Sequence, residues 1–222
     1  MRSARGERSN HDDEAAGHDA DVADERQAIR AGYAALLAWV TRTAAIAPGH
    51  RVLELGSGRG DLTRRLRRCR ELVCVDRSRE MEAVASARLG ECPWRRFVCD
   101  DILGVFERGL GTFDAVVSAY AVHHLRDTEK AELFREIRRV LRPGGRAVFG
   151  DLMLAPGTSR AEAVAAFSAR GDDATANAIA GEYFWSLDET PRMLEALGFQ
   201  VSLERFSELS HGVLARQLGV AR

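Results

Sequence analysis

The sequence predicts an α/β protein built on a mostly parallel sheet flanked by helices. Short apolar runs at 51–55, 72–76, 96–99, 115–119 and 146–151 alternate with longer amphipathic stretches, the pattern written by parallel strands and their crossover helices. A glycine-dense turn, Gly56-Ser57-Gly58-Arg59-Gly60, follows the first run directly. Near the end of the chain, strand-like segments at 200–207 and 212–217 lie too close together for a parallel return, which needs a crossover of a dozen or more residues. They are expected to form an antiparallel pair.

Each element has its own warrant. Residues 1–26, rich in Asp, Glu, Arg, Ser and Gly, are expected to be an acidic, partly disordered segment, with one domain over 27–222. From 27 to 45, Ile29, Tyr33, Leu36, Leu37 and Val40 recur at helical spacing, and Pro48-Gly49 marks the turn that follows. Helices are expected at 61–68, 79–89 and 128–140, with a shorter piece at 102–108. The third should stop at Leu141-Arg142-Pro143-Gly144-Gly145, where proline cannot continue a helix and glycine offers a left-handed cap. Residues 155–185, Ala-rich and broken by Gly171-Asp172-Asp173, read as a helical insertion closing on Tyr183-Phe184-Trp185. Asp188 should then cap a helix to Leu197 that Gly198 terminates.

Composition excludes several classes. The chain has 222 residues, 45% hydrophobic and 29% charged, enough for one core and too apolar for a disordered protein. Its 32 basic and 33 acidic residues leave a formal charge of -1, which disfavours nucleic-acid binding driven by bulk charge. The four cysteines form no Cys-x-x-Cys pair, and Cys74 and Cys99 lie in strand-like runs, as in a reduced cytoplasmic protein. The lone doublet His123-His124 lacks further ligands at metal spacing, so no metal is expected. No apolar signal region and no run of membrane-spanning length is visible, so the expectation is a soluble protein with no membrane partner.

The glycine turn constrains the ligand. Glycines there let the backbone turn tightly and let a ligand approach without a Cβ in the way. A dinucleotide fingerprint would place its third glycine where Asp61 stands, and a P-loop would need a Gly-Lys-Ser/Thr that is absent. Glu54 before the turn and Asp61 after it would repel a pyrophosphate, whereas an ammonium or sulfonium charge would suit them. Asp76, twenty residues past Gly56 at the end of the second strand, can accept from both hydroxyls of a ribose. The Asp100-Asp101 pair ends the third strand, where a carboxylate can accept from an adenine amine.

Taken with Phe113-Asp114-Ala115-Val116-Val117, Leu141-Arg142-Pro143-Gly144-Gly145 and the final hairpin, this series resembles the class I S-adenosylmethionine-dependent methyltransferases, from about residue 27 to the C-terminus. The resemblance implies a Rossmann-like doubly wound sheet of seven strands, mostly parallel with one antiparallel C-terminal strand and helices on both faces. It implies S-adenosylmethionine as cofactor. Glu54 would hold the methionine ammonium, directly or through water, and Gly56, Ser57, Gly58 and Gly60 would pass under the methionine and ribose. Asp76 and the adjacent Arg77 would sit at the ribose, Asp100 at the adenine amine with Asp101 as the neighbouring helix cap, Ile102 on the adenine face, and Ser118 near the sulfonium. Asp114, at the start of its strand, reads as structural.

The same resemblance makes 155–185 a lid over the substrate, with Tyr33, Tyr183 and Trp185 as pocket residues and Phe184 beside them. His123 and His124 are the candidate catalytic bases, since imidazole titrates near neutrality. The Asp/Asn-Pro-Pro-aromatic motif of enzymes that methylate planar amino groups is missing, which points away from adenine, cytosine or glutamine amide. The Tyr-Asp pair that often precedes the N-terminal helix is replaced by His18-Asp19. The expected acceptor is a small molecule methylated at oxygen, nitrogen or carbon by a monomer or homodimer. The alternatives are an RNA-directed methyltransferase and a protein that binds S-adenosylmethionine for a non-methylating step such as a cyclization.

Overall fold

The computed structural model describes residues 27–217. The expectations for 1–26, including the pair His18-Asp19, lie outside the described residues. Strands β1 (Arg51–Leu55), β2 (Glu71–Asp76), β3 (Arg95–Cys99), β4 (Phe113–Ala119), β5 (Leu141–Leu154), β7 (Phe199–Arg205) and β8 (Ser210–Gln217) form one sheet in the order β3-β2-β1-β4-β5-β8-β7. The two-residue β6 (Trp185–Ser186) adds parallel to β5. Neighbours from β3 to β5 are parallel, and β8 runs antiparallel to both β5 and β7. The fold is therefore the mostly parallel, Rossmann-like sheet with one antiparallel strand that the resemblance implied, with β6 as an addition.

Alternation along the strands divides the core into two layers. Leu53, Leu55, Val73, Val75, Val116, Ala147 and Phe149 point to one face, where α3 (Asp127–Val140) buries Leu133, Phe134 and Ile137 and α6 (Glu189–Ala196) buries Leu194. Val52, Leu72, Cys74, Ala115, Val117 and Val148 point to the other, covered by Leu36, Leu37 and Val40 of α1 (Tyr33–Thr43). The helix approaches so closely that a Cβ built on Gly150 of β5 would lie 2.1 Å from Leu36 Cδ2. A third cluster joins Leu152 and Leu154 of β5 to Phe167 of α4 (Arg160–Ala169) and to Ala176 and Ile179 of α5 (Asp173–Gly181). The 155–185 segment is thus two helices seated on the carboxyl end of β5.

At the amino ends, Arg51 ties three strands together. Its guanidinium reaches Glu71 at 2.6 Å and the carbonyls of Thr112 and Leu110 at 2.8 and 2.9 Å. Asp114 accepts from the Arg51 N–H at 2.7 Å and pairs with Arg142 at 2.6 Å, the structural duty expected of it.

Several local expectations are corrected. Residues 61–68 hold only a 3-10 turn over Thr63–Arg65, after which Leu66 is extended. Ten residues, 61–70, lie between the glycine turn and Glu71 of β2, and a helix rising ~1.5 Å per residue would barely run back along a strand of ~17 Å. The expected α-helix Arg79–Leu89, here α2, is present, capped by the Ser78 hydroxyl 3.1 Å from the Met81 N–H. The short piece before β4 is a 3-10 helix, Gly104–Arg108. The helix expected from 27 begins only at Tyr33, after turns. No glycine caps α3: Leu141 is already extended, and Gly144 lies where the pairing of β4 with β5 shifts register between Phe113 and Ala115. Asp188 makes no side-chain cap on α6; the Ser186 hydroxyl lies 3.3 Å from the Glu189 N–H instead.

A Gly150→Val substitution should drive Leu36 out of its seat and cost about 1–3 kcal/mol of stability, as overpacking of a filled core does. Urea unfolding followed by circular dichroism tests this. An unchanged midpoint would show that α1 is free to move off the sheet.

Candidate functional site

A cavity of about 440 Å³ opens above the carboxyl ends of the parallel strands. Open α/β sheets place their ligands at that edge, where strand order reverses, here between β1 and β4. Its floor is the turn after β1. Gly56 has φ 68°, and a Cβ there would lie 2.3 Å from the Cβ of Ala121, so the loop after β4 could not close over any other residue. Gly60 has φ 84° and faces Leu89 of α2, where a Cβ would meet Cδ1 at 2.6 Å. Its absent side chain serves helix packing, and neither Gly60 nor Gly58 is on the cavity wall. Gly56 and Ser57 are.

Asp76 lines the cavity and is held by two backbone donors, the Gly58 N–H at 2.7 Å and the Ser78 N–H at 3.0 Å. One carboxylate thus fixes the glycine turn to the end of β2 while keeping lone pairs for a ligand. Arg77 and Ile102 also line the cavity. Of the acidic pair after β3, Asp101 lines it, while Asp100 turns to an ion pair with Arg108. Asp101 also caps the following turn, accepting from the Leu103 N–H at 2.9 Å. The acid on the cavity wall and the acid that caps the turn are therefore the same residue, Asp101.

Glu54 lies behind the turn. It is 1% exposed and absent from the wall, with Oε2 accepting from the Thr63 hydroxyl at 2.8 Å and the Cys74 thiol at 3.4 Å. Its Oε1 is buried without a partner among the described residues, as is the Ser57 hydroxyl. Burial raises the Glu54 carboxyl from its ordinary value of 4.5 to about 7, against the hydrogen bonds from Thr63 and Cys74. Glu54 was expected to hold a ligand directly or through water, and this placement gives it no face on the cavity. Ser118 is likewise off the wall: it is 1% exposed, and its hydroxyl donates to the Leu55 carbonyl at 2.8 Å, stitching β4 to β1.

The far wall comes from the loop after β4 and from the two-helix segment. Tyr120, at φ 52°, places its ring edge-on to Tyr33 with centroids 4.9 Å apart. Its hydroxyl lies 2.6 Å from Ser210 Oγ and 3.1 Å from the Ile29 carbonyl, drawing the segment before α1 onto the cavity. Burial raises the Tyr33 hydroxyl to about 12, so it stays protonated at neutral pH. Arg30, which also lines the wall, stacks over Tyr120 at 5.5 Å. Tyr183 lines the cavity, its backbone fixed by its N–H to the His123 carbonyl at 2.8 Å and by Lys130 Nζ on its own carbonyl. Trp185 does not line it. β6 turns its ring into the core, edge-on to Phe134 at 5.7 Å and 6.1 Å from Phe149.

Both histidines line the cavity, each paired with a carboxylate. His123 Nδ1 bonds to Asp151 of β5, and His124 Nδ1 lies 2.8 Å from Glu182 at the end of α5. Asp151 is 1% exposed; burial pushes its carboxyl up, but the His123 charge and hydrogen bond, with the Leu152 N–H, more than offset this and hold it below its usual range. His124 is pushed down by burial and by the neighbouring His123, against the pull of Glu182. Sequence reasoning missed Asp151, Glu182, Tyr120 and Arg30. Asp151 carried a signal, an acid at the end of an apolar strand at the same sheet edge as Asp76.

S-adenosylmethionine fits these residues. The cavity is of small-molecule size, the glycine turn that forms its floor carries the unpartnered buried hydroxyl of Ser57, and an unpartnered buried carboxyl oxygen of Glu54 stands behind that turn. Among the described residues no three His, Cys, Asp or Glu side chains gather as a metal site, and no helix is long and apolar enough to cross a membrane.

Comparison with known proteins identifies the family and the fold. A family model described as a methyltransferase domain matches residues 52–145. A Geobacillus thermodenitrificans protein named as an uncharacterized methyltransferase is 32% identical over 193 residues, 86% of this chain and 85% of its own. Among solved structures, the N-methyltransferase NodS of Bradyrhizobium japonicum, in complex with S-adenosyl-L-homocysteine, superposes with TM-score 0.63 at 18% identity, over 89% of this chain and 90% of that one. The magnesium protoporphyrin IX methyltransferase of Synechocystis with bound S-adenosylmethionine superposes with TM-score 0.60 at 18% identity, over 88% and 85%.

The raised carboxyl of Glu54 has a stability consequence. A group that is more easily protonated folded than unfolded contributes fully below its ordinary value of 4.5, and that contribution is lost as pH rises through about 7. Glu54→Gln, which still accepts from Thr63, should remove this decline and gain about 1–3 kcal/mol on the native chain between pH 5 and pH 8. Thermal melts across that range would show parallel curves if Glu54 were ionised in the fold.

Proposed function

The chain belongs to the methyltransferase family, and on that premise we propose that it moves the methyl group of S-adenosylmethionine to a small-molecule acceptor. The observation that carries this is Asp76, a carboxylate on the wall of a cavity at the carboxyl edge of the sheet, already locked by the glycine turn. Bound there, the cofactor supplies a methyl carbon on a positively charged sulfur, ready for in-line displacement. The chain's task is to hold the two partners in line and exclude water.

Asp76 would accept from the ribose hydroxyls, with its orientation fixed by Gly58 and Ser78. Asp101 would accept from the adenine amine and Ile102 would pack on the base, while Arg77 flanks the ribose. The orphaned Oε1 of Glu54 would meet the methionine ammonium through a water, a partner that would also favour its ionised form. The acceptor would occupy the side bounded by Tyr33, Tyr120, Tyr183 and Phe184, under the two-helix segment acting as a lid. A near-neutral formal charge and a cavity shared by arginines and carboxylates suit a small acceptor better than a nucleic-acid backbone.

Calorimetry should detect S-adenosylmethionine binding, and Asp76→Ala should weaken it by about 10–100-fold, the value of hydrogen bonds to a charged group. A native protein that does not take up the cofactor would overturn the assignment. Transfer of labelled methyl from S-adenosylmethionine into small-molecule extract rather than total RNA is the expected outcome of the companion assay. Label in RNA alone would move the acceptor to that class.

A further inference from the structure

We infer that Asp151 and His123 form a built proton acceptor for the methyl acceptor, and that the acceptor atom is the oxygen of a phenol or enol. This rests on the proposed cofactor reading and extends it to the other half of the cavity. Asp151 accepts from the Val122 and His123 N–H groups at 2.9 and 3.1 Å, from the Leu152 N–H at 2.8 Å and from His123 Nδ1. The carboxylate is 1% exposed and cannot swing away from the ring. With Nδ1–H donating to it, His123 Nε2 is the nitrogen left to accept a proton, and it makes no hydrogen bond among the described residues. His123 lines the cavity.

The neighbourhood selects the acceptor. Tyr120 and Phe184 stand edge-on to the His123 ring at 6.1 and 5.9 Å, and Tyr33 stands edge-on to Tyr120. Planar aromatic walls beside the His123 imidazole suit a planar ring whose hydroxyl has an acidity that imidazole can match. In the step, the acceptor oxygen bonds to the methyl carbon as the bond from that carbon to sulfur breaks, its electron pair staying on sulfur. The hydroxyl proton passes to Nε2, giving an imidazolium beside Asp151 that later releases the proton to water. Asp151 acts through His123 and is a positioning residue. His124 carries the looser arrangement, since its partner Glu182 sits on the two-helix segment rather than on the sheet.

The test uses 4-nitrophenol, whose phenolate is coloured and whose phenol is not, added to protein loaded with S-adenosylhomocysteine. The bound probe is expected to show the phenolate band at pH values below the midpoint of the free probe. The groups facing His123 are Asp151 from β5, Tyr120 just after β4 and His124 beside it, with Glu182 on His124 and Lys130 of α3 behind on the Tyr183 carbonyl. His123→Gln should abolish the band, Asp151→Asn should return the midpoint to that of the free probe, and Asp151→Glu should restore part of the shift. A probe that stays colourless or unbound, a band that survives His123→Gln, or a band lost in His124→Gln but kept in His123→Gln would overturn the assignment. Calorimetric uptake of S-adenosylhomocysteine by the same samples reports folding and separates the failures. Uptake without colour overturns the proton acceptor alone, and no uptake by the native protein overturns the cofactor reading beneath it.

Discussion

The upper edge of the sheet is organised by a carboxylate that has been taken out of water. Asp151 interrupts the apolar run of β5 and finds its solvation replaced by three backbone N–H groups and an imidazole. A buried charge is tolerated only when its lone pairs are answered in this way. Because three of those four donors belong to the turn after β4, the requirement fixes that turn, and the turn carries Tyr120 and both histidines to the cavity. The same turn receives the Tyr183 N–H at the His123 carbonyl, so the position of the two-helix segment also follows from it.

Much of the fold was legible in the chain. Alternating apolar runs gave five parallel strands and the final antiparallel pair in the right order, because their side-chain period is imposed by burial on both faces. The α-helix Arg79–Leu89 was legible to its ends, since Ser78 caps it and Gly90 follows it. The stretch after the glycine turn was not. Leu62, Leu66 and Cys69 are buried at helical spacing, yet the distance to be crossed allows only a 3-10 turn and extended chain. Periodicity reports which residues are buried, and the path length decides how they get there.

The candidate site was legible by position and less so by orientation. Asp76, Arg77, Ile102, Tyr33, Tyr183 and both histidines come together, as do Gly56, Ser57 and Asp101. Ser118 and Trp185 stand in the correct segments and point elsewhere, one bonded to the neighbouring strand and the other turned under by a two-residue pairing with β5. Glu54 sits one layer below the floor. A sequence places a residue at a strand end, but which adjacent acid faces the cavity depends on partners such as Arg108, which claims Asp100.

Lys130 is the only lysine in the chain. It is 3% exposed, with its ammonium between Asp127, the Tyr183 carbonyl and the Trp185 ring. The surface consequently offers amine-directed chemistry no lysine to attack: acylating reagents, aldehydes and lysine-specific crosslinkers find no free side-chain amine. All other positive side chains are guanidiniums, which do not react under the same conditions. Modification at Lys130 would require α3 and the root of the two-helix segment to part, so the rate at which this one amine becomes labelled is a direct clock for that opening.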